Sequence, residues 1–240
     1  NVAIINSLGS IIAGIISLII VFKNFKVKFI FPKLESIKNQ LKEGWHIFIS
    51  NIAISLYTVS NTFILGLFTN NTIVGYYSGA EKIVKAIQGL LNPVSQTIYP
   101  YFSKLYTENK KRAIELLKKI LSLVGLSTFI ISIIISVCSP LICRIILGSK
   151  FTESIPVLRI LIFIVFAIGI NNILGIQGLV GFGYKKEFTK IVVICSLIHL
   201  GLITILIWQF SFIGVAIGTV ITESLIAISE YYCLKKKEIL

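Results

Sequence analysis

Apolar positions fall into seven long runs, at residues 2–22, 45–68, 76–101, 120–137, 157–180, 191–209 and 214–234. Each is close to the roughly 20 residues that a helix needs to cross a bilayer core of about 30 Å. The run at 76–101 is the most polar of them. Read as a helix, it places Glu81, Lys85, Gln88, Asn92, Gln96 and Tyr99 at steps of four, three, four, four and three residues, in one narrow stripe. That stripe is roughly 27 Å long at about 1.5 Å per residue, nearly the full height of a bilayer core. The run at 45–68 carries a second stripe, Asn51, Ser55, Thr58 and Thr62, with Tyr57 and Asn61 on the adjacent face. Polar groups in lipid need partners or water, so the two stripes are expected to line a common cavity.

Irregularities are expected at four places. Pro93 should kink or break its helix near Gly89. Ser139-Pro140 should interrupt the fourth run, which resumes at 141–147. Pro156 suits the first turn of the fifth helix. Asn171, Asn172 and Gln177 lie among Gly169, Gly175, Gly178, Gly181 and Gly183, a composition that allows a bend or close packing. Residues 34–41 are expected to form a short helix on the membrane surface, and 103–119 and 185–190 to be basic loops.

Charge then orients the array. Eighteen of the twenty-three Lys and Arg fall at 23–42, 104–119, 185–190 and 235–237, which are alternate connections between the runs. By the positive-inside rule these are cytoplasmic, the chain starts outside, and its C-terminus lies inside. Crossing by 76–101 is required to keep 103–119 inside. With 240 residues, 55% of them hydrophobic, and a mean hydropathy of +0.91, the expected class is an all-α polytopic membrane protein of about seven transmembrane helices. The net charge of +13 belongs to membrane topology, and nucleic acid is not an expected partner. The chain has no Met, and its start is expected to lie within a longer protein.

The chemistry on offer lies in charges set within the apolar runs. Cys138, Cys143, Cys195 and Cys233 have neither metal-site nor disulfide-framework spacing, and no cofactor or metal is expected. Phosphate-loop, zinc-protease and nucleophile-elbow motifs are missing from the sequence, so the expectation is a protein that is not an enzyme. The informative groups are Glu81, Lys82, Lys85 and Glu223 within the runs, since charges at such depth mark substrate or ion paths. Glu81 and Lys85 are one turn apart and able to neutralise each other. Glu223 has no cation at helical spacing in its own run, and so is either protonated or paired with another helix. His199, mid-run, reads as a hydrogen-bonded structural histidine.

The stretch WHIFISNIAISLYTVSNTFILGLFTNNTIVGYYSGAEKIVKAIQGLLNPVSQTIYPYFSKL resembles the bacterial O-antigen flippases of the Wzx type, within the multidrug/oligosaccharidyl-lipid/polysaccharide exporter superfamily. The later LGIQGLVGFGYKKEF is similar to that family as well. The resemblance implies about twelve spans in two six-helix lobes. It assigns 1–22 to the last helix of an N-terminal lobe, 23–44 to a basic inter-lobe loop, 45–234 to a six-helix C-terminal lobe and 235–240 to a cytoplasmic tail. The implied function is translocation of undecaprenyl-diphosphate-linked oligosaccharide across the bacterial inner membrane for surface polysaccharide synthesis, by alternating access. Expected partners are membrane lipids, that lipid-linked oligosaccharide, the N-terminal lobe, and a polysaccharide polymerase or other assembly proteins. Asn51, Ser55, Thr58, Gln88, Asn92 and Gln96 would face sugar, and Lys82 and Lys85 the diphosphate. Glu81 and Glu223 are the candidates for ion coupling. The alternatives are a related multidrug exporter, a flippase for lipid-linked peptidoglycan precursors and, in a different class, a membrane-embedded polysaccharide polymerase.

Overall fold

A computed structural model describes residues 2–25 and 31–240. Every regular element among them is helical, and the protein is an all-α polytopic membrane protein. The chain divides into two compact units, Asn1–Gly44 and Trp45–Leu240. The first holds α1 (Val2–Phe25) and the opening turns of α2 (Leu34–Phe68). The second holds the rest of α2, then α3 (Asn71–Gly89), α4 (Leu91–Glu108), α5 (Lys110–Ile146), α6 (Ser154–Leu161), α7 (Phe163–Asn171), a π-helical segment (Asn172–Val180) and α8 (Lys185–Lys236). Among the described residues, five helical stretches are long and apolar enough to cross a membrane: Ser7–Asn24, Gly44–Phe68, Lys110–Ile146, Ser154–Val180 and Lys185–Lys236.

The last of these is two arms. Ser211 leaves the helical region at φ 52°, ψ −134°. His199 Nδ1 lies 2.8 Å from Thr222 Oγ1, although 23 residues of unbroken helix would hold them roughly 34 Å apart. Residues 185–210 and 212–236 are therefore antiparallel, with the reversal at the expected 210–212 turn. Gly214 and Gly218 allow the arms to close: a Cβ on Gly218 would come within 2.9 Å of the Ile203 side chain.

The helix pair α3–α4 runs beside Ser154–Val180. At one end the Ser154 hydroxyl donates to the Tyr76 carbonyl at 2.7 Å, and Tyr76 meets Phe151 edge-on. At the other, Phe102 and Tyr106 stack against Phe182, with ring centroids 5.6 and 4.5 Å away. The pair thus covers the same height as a candidate span, although it breaks where expected. Helix α3 ends at Gly89, Leu90 forms the corner, and Pro93 sits in the first turn of α4, where its missing N–H breaks no bond.

Several connections differ from the sequence expectation. Residues 34–41 are helical but run without a break into the following span. The expected loop at 103–119 is two helix ends meeting at Asn109, whose side chain caps α5 by accepting from the Arg112 N–H at 3.1 Å. Residues 185–190 are the first turns of α8. The cause is common to all three: Lys- and Glu-rich ends are good helix formers, and a helix already nucleated in the membrane extends into water at little cost. Nor does Ser139-Pro140 interrupt α5. Three serines on that face reach α6 instead. Ser132 donates to the Ile162 carbonyl at 3.1 Å, Ser136 to the Arg159 carbonyl at 3.2 Å, and Ser139 accepts from Arg159 Nε at 3.1 Å. Such cross-helix bonds hold a proline-bearing membrane helix in line.

Two apolar layers pack the Trp45–Leu240 unit. One, toward the Tyr76 end, gathers Leu65, Ala80, Val84, Leu158, Leu161 and Val215. The other, toward the Phe182 end, gathers Phe102, Leu117, Leu174, Leu179, Phe188 and Leu234. Helix α2 contributes Ala53 to one and Leu65 to the other, with Tyr57 and Asn61 between them. The first arm of α8 likewise has His199 between Val192 and Ile207, and the second has Thr219 and Glu223 between Ala216 and Leu234. A polar layer therefore lies across the middle of the bundle.

Candidate functional site

The polar layer is a hydrogen-bonded network built by five segments. The Tyr57 hydroxyl donates to Glu223 Oε1 at 2.6 Å. Asn171, at the end of α7, donates through Nδ2 to Glu223 Oε2 at 2.7 Å and to the Glu223 carbonyl at 3.2 Å. Asn61 donates to Thr219 Oγ1 at 3.1 Å and more weakly to the Tyr77 hydroxyl at 3.4 Å. Its Oδ1 lies 2.8 Å from His199 Nε2. Nε2–H donates to Asn61 Oδ1, and in a neutral imidazole Nδ1 competes with the Gly218 carbonyl, 2.9 Å from Thr222 Oγ1, for the one Thr222 hydroxyl proton. His199 is thus the hydrogen-bonded histidine that its mid-run position suggested. Tyr57, Asn61, Tyr77, His199, Thr222 and Glu223 are all buried.

Glu223 is paired across helices, as one of its two sequence readings required, but its partners are neutral donors. Among the described residues no Lys or Arg comes within ion-pair distance of it. Adjoining it is a cavity of about 50 Å³, lined also by Thr58, Glu81, Lys85, Gln88 and Thr219. Lys85 Nζ lies 3.0 Å from Glu81 Oε2, so these two do neutralise each other. The Glu81 side chain is only 15% exposed, whereas that of Lys85 is 56% exposed, which leaves the ammonium open on one side.

The remaining candidates are distributed unevenly. Thr58 and Gln88 are half-buried at the cavity, although the Thr58 hydroxyl donates to the Ile54 carbonyl of its own helix at 2.8 Å. Asn51 and Ser55 are exposed on the opposite side of α2, in an open groove of about 510 Å³ with Phe48, Leu56 and Phe63. Lys82 and Gln96 are exposed. The side chain of Asn92 lies outside the described residues. The second stripe is therefore divided between a buried cavity wall and an open face. The buried network follows Tyr57 and Asn61 on the neighbouring face.

Sequence reasoning passed over one buried acid. Glu230 is completely buried, and among the described residues neither of its carboxylate oxygens has a hydrogen-bond partner. The signal was present: it follows Glu223 by seven residues, two helical turns along one face of an apolar run. Among the described residues no group of His, Cys, Asp and Glu is arranged to hold a metal ion, and the four cysteines are unpaired thiols.

Residues 1–106 match a family described as polysaccharide biosynthesis protein. The chain is 36% identical over 222 residues to a protein of Escherichia coli (strain K12) named "Putative O-antigen transporter", which covers 92% of this chain and 54% of the relative. A protein of Shigella dysenteriae with the same name is 30% identical over 224 residues, 92% of this chain and 55% of the relative. An uncharacterized membrane protein of Methanocaldococcus jannaschii is 25% identical over 230 residues, 91% of this chain and 45% of the relative. The chain spans about half the length of the curated relatives it matches. No solved structure matches it.

Proposed function

We propose that this chain belongs with the Wzx-type polysaccharide and O-antigen transporters and is part of a flippase that moves undecaprenyl-diphosphate-linked oligosaccharide across the bacterial inner membrane. The observation that carries this reading is the 36% identity, across 92% of this chain and 54% of the relative, to the Escherichia coli protein named "Putative O-antigen transporter". The buried polar layer around Glu223 and its neighbouring cavity support it.

In this reading residues 45–234 form a six-helix lobe, residues 1–22 end the preceding lobe, and the C-terminus is cytoplasmic. The two lobes rock about a central path. The open face of α2 offers Asn51 and Ser55 to sugar hydroxyls, and Gln96 does the same on α4. Lys82 and the exposed side of Lys85 attract the diphosphate, for which ammonium groups are strong hydrogen-bond donors. The many exposed Leu, Ile and Phe side chains of α5 let the polyprenyl tail remain in lipid. Glu223, with Glu81 across the small cavity, couples translocation to an ion gradient.

The test is translocation of the lipid-linked oligosaccharide by the full-length protein in proteoliposomes. Wild type is expected to translocate it. Lys85→Ala and Glu223→Gln are each expected to slow it by roughly tenfold or more, the equivalent of one charge-assisted contact. Wild-type rates in both variants at equal protein level would remove these residues from the site. A wild-type protein that moves no such lipid would refute the function itself.

A further inference from the structure

The second arm of α8 holds a carboxyl that the transport reading leaves without a role. Glu230 lies about 10 Å further along the arm than Glu223. It has no exposed surface and, among the described residues, no hydrogen-bond partner for either oxygen. The place is shaped for it. Gly175 of the π-helical segment brings bare backbone against the carboxylate, where a Cβ would overlap Glu230 Oε1 and come within 2.7 Å of the Phe188 ring. π-Helical turns concentrate at functional positions, since their widened backbone re-aims what packs on them.

Among the described residues, the titratable groups within electrostatic reach are Glu223 on the same arm, Tyr57 on α2, Cys195 on the first arm of α8, and Cys233. None of these is a cation. Lys237, at the end of the arm, is taken by Glu187 at 3.3 Å. An ionised carboxylate here would bear several kcal/mol of desolvation with neither ion pair nor hydrogen bond to offset it. The neutral acid bears far less.

We propose that Glu230 is a proton-binding site that exchanges its proton with Glu223, and that the two carboxyls form a proton path from the cavity beneath Glu81 toward the Phe182 end of the bundle. The pair shares one proton and carries one negative charge, so each transfer protonates one carboxylate as it deprotonates the other. Tyr57 donates to Glu223 at 2.6 Å, while neither Glu230 oxygen has a partner among the described residues, so the exchange passes through an entering water that releases one proton as it accepts another. The use of this path to drive translocation rests on the transport reading above; proton binding at Glu230 does not.

Infrared difference spectroscopy between acid and alkaline buffer, on the full-length protein in lipid, tests the assignment without any lipid-linked sugar. A carboxylic-acid C=O band is expected that titrates, disappears in Glu230→Gln, shifts in frequency in Glu230→Asp, and changes its titration midpoint in Glu223→Gln. The Asp variant carries the test should the Gln variant fold poorly. No carboxylic-acid band sensitive to position 230, or a band indifferent to Glu223→Gln, overturns the proposal. A protein that gives the expected bands but translocates no lipid-linked oligosaccharide would leave Glu230 assigned and refute the transport reading instead.

Discussion

Asn61→Leu replaces the residue on which three helices converge by one of similar size. Two good hydrogen bonds disappear, to His199 at 2.8 Å and to Thr219 at 3.1 Å, together with the weaker contact to Tyr77 at 3.4 Å. Interhelical hydrogen bonds in membranes average about 0.6 kcal/mol and reach about 1.7. Two such bonds set the expected loss at roughly 1–3 kcal/mol. Added apolar surface offsets little of this, because lipid is as apolar as Leu and burial from it yields no hydrophobic gain. The upper end applies if His199 Nε2–H, fully buried, is left without an acceptor. The assay is reversible unfolding of the full-length protein in bicelles, with Ser60→Ala as control, since Ser60 bonds only to Leu56 of its own helix. Asn61→Leu should be destabilised by the stated amount, and adding His199→Phe should recover part of it, because removing both partners is cheaper than removing one. A change below about 0.5 kcal/mol, no larger than ordinary surface substitutions produce, would refute the network as a stabilising element.

Gly175→Ala pushes a methyl group into the Glu230 carboxylate and the Phe188 ring, and should cost about 1–3 kcal/mol of stability by overpacking, measured by the same unfolding assay. Asn51→Ala and Ser55→Ala alter exposed positions of α2 and should leave stability within about 0.5 kcal/mol, while translocation of the lipid-linked oligosaccharide in proteoliposomes falls; unchanged translocation would remove the open face of α2 from the cargo path.

Membrane class, the apolar runs and the break near Gly89 were legible in the sequence, because each follows from a local rule. Bilayer thickness sets the run length, and a proline cannot donate its ladder bond. The helix ends were not legible. Residues 103–119 look like a loop by charge alone, yet they are helical except at Asn109, because polarity reports solvent contact and not backbone conformation. Pro140 misled for the opposite reason: the bonds from Ser132, Ser136 and Ser139 to α6 are tertiary, and no local rule contains them. Glu81 and Lys85 found each other because their pairing is local to one helix. Glu223 found Tyr57, 166 residues away, and no spacing within a helix could specify that partner.

The same distinction explains how the stripe on α2 divides. Periodicity groups residues by direction around one helix, but whether a direction faces protein or the open side depends on the other helices. Asn51 and Ser55 point to the open groove, while Tyr57 and Asn61, one face over, carry the inter-helical bonds. The buried set is satisfied almost completely by protein groups, with the Asn171 Oδ1, the Gln177 Oε1 and the Glu230 carboxylate as its exceptions. Satisfied groups stabilise one arrangement of the helices. Unsatisfied ones favour whatever brings them a partner, whether a proton, a ligand or another arrangement. Asn171 bonds Glu223, Gln177 lies within the π-helical segment, and Glu230 packs on that segment at Gly175. The exceptions therefore all touch the stretch from the end of α7 through the π-helical turns. That stretch, more than the polar stripe on α3 and α4, is where a change in protonation would be felt by the backbone.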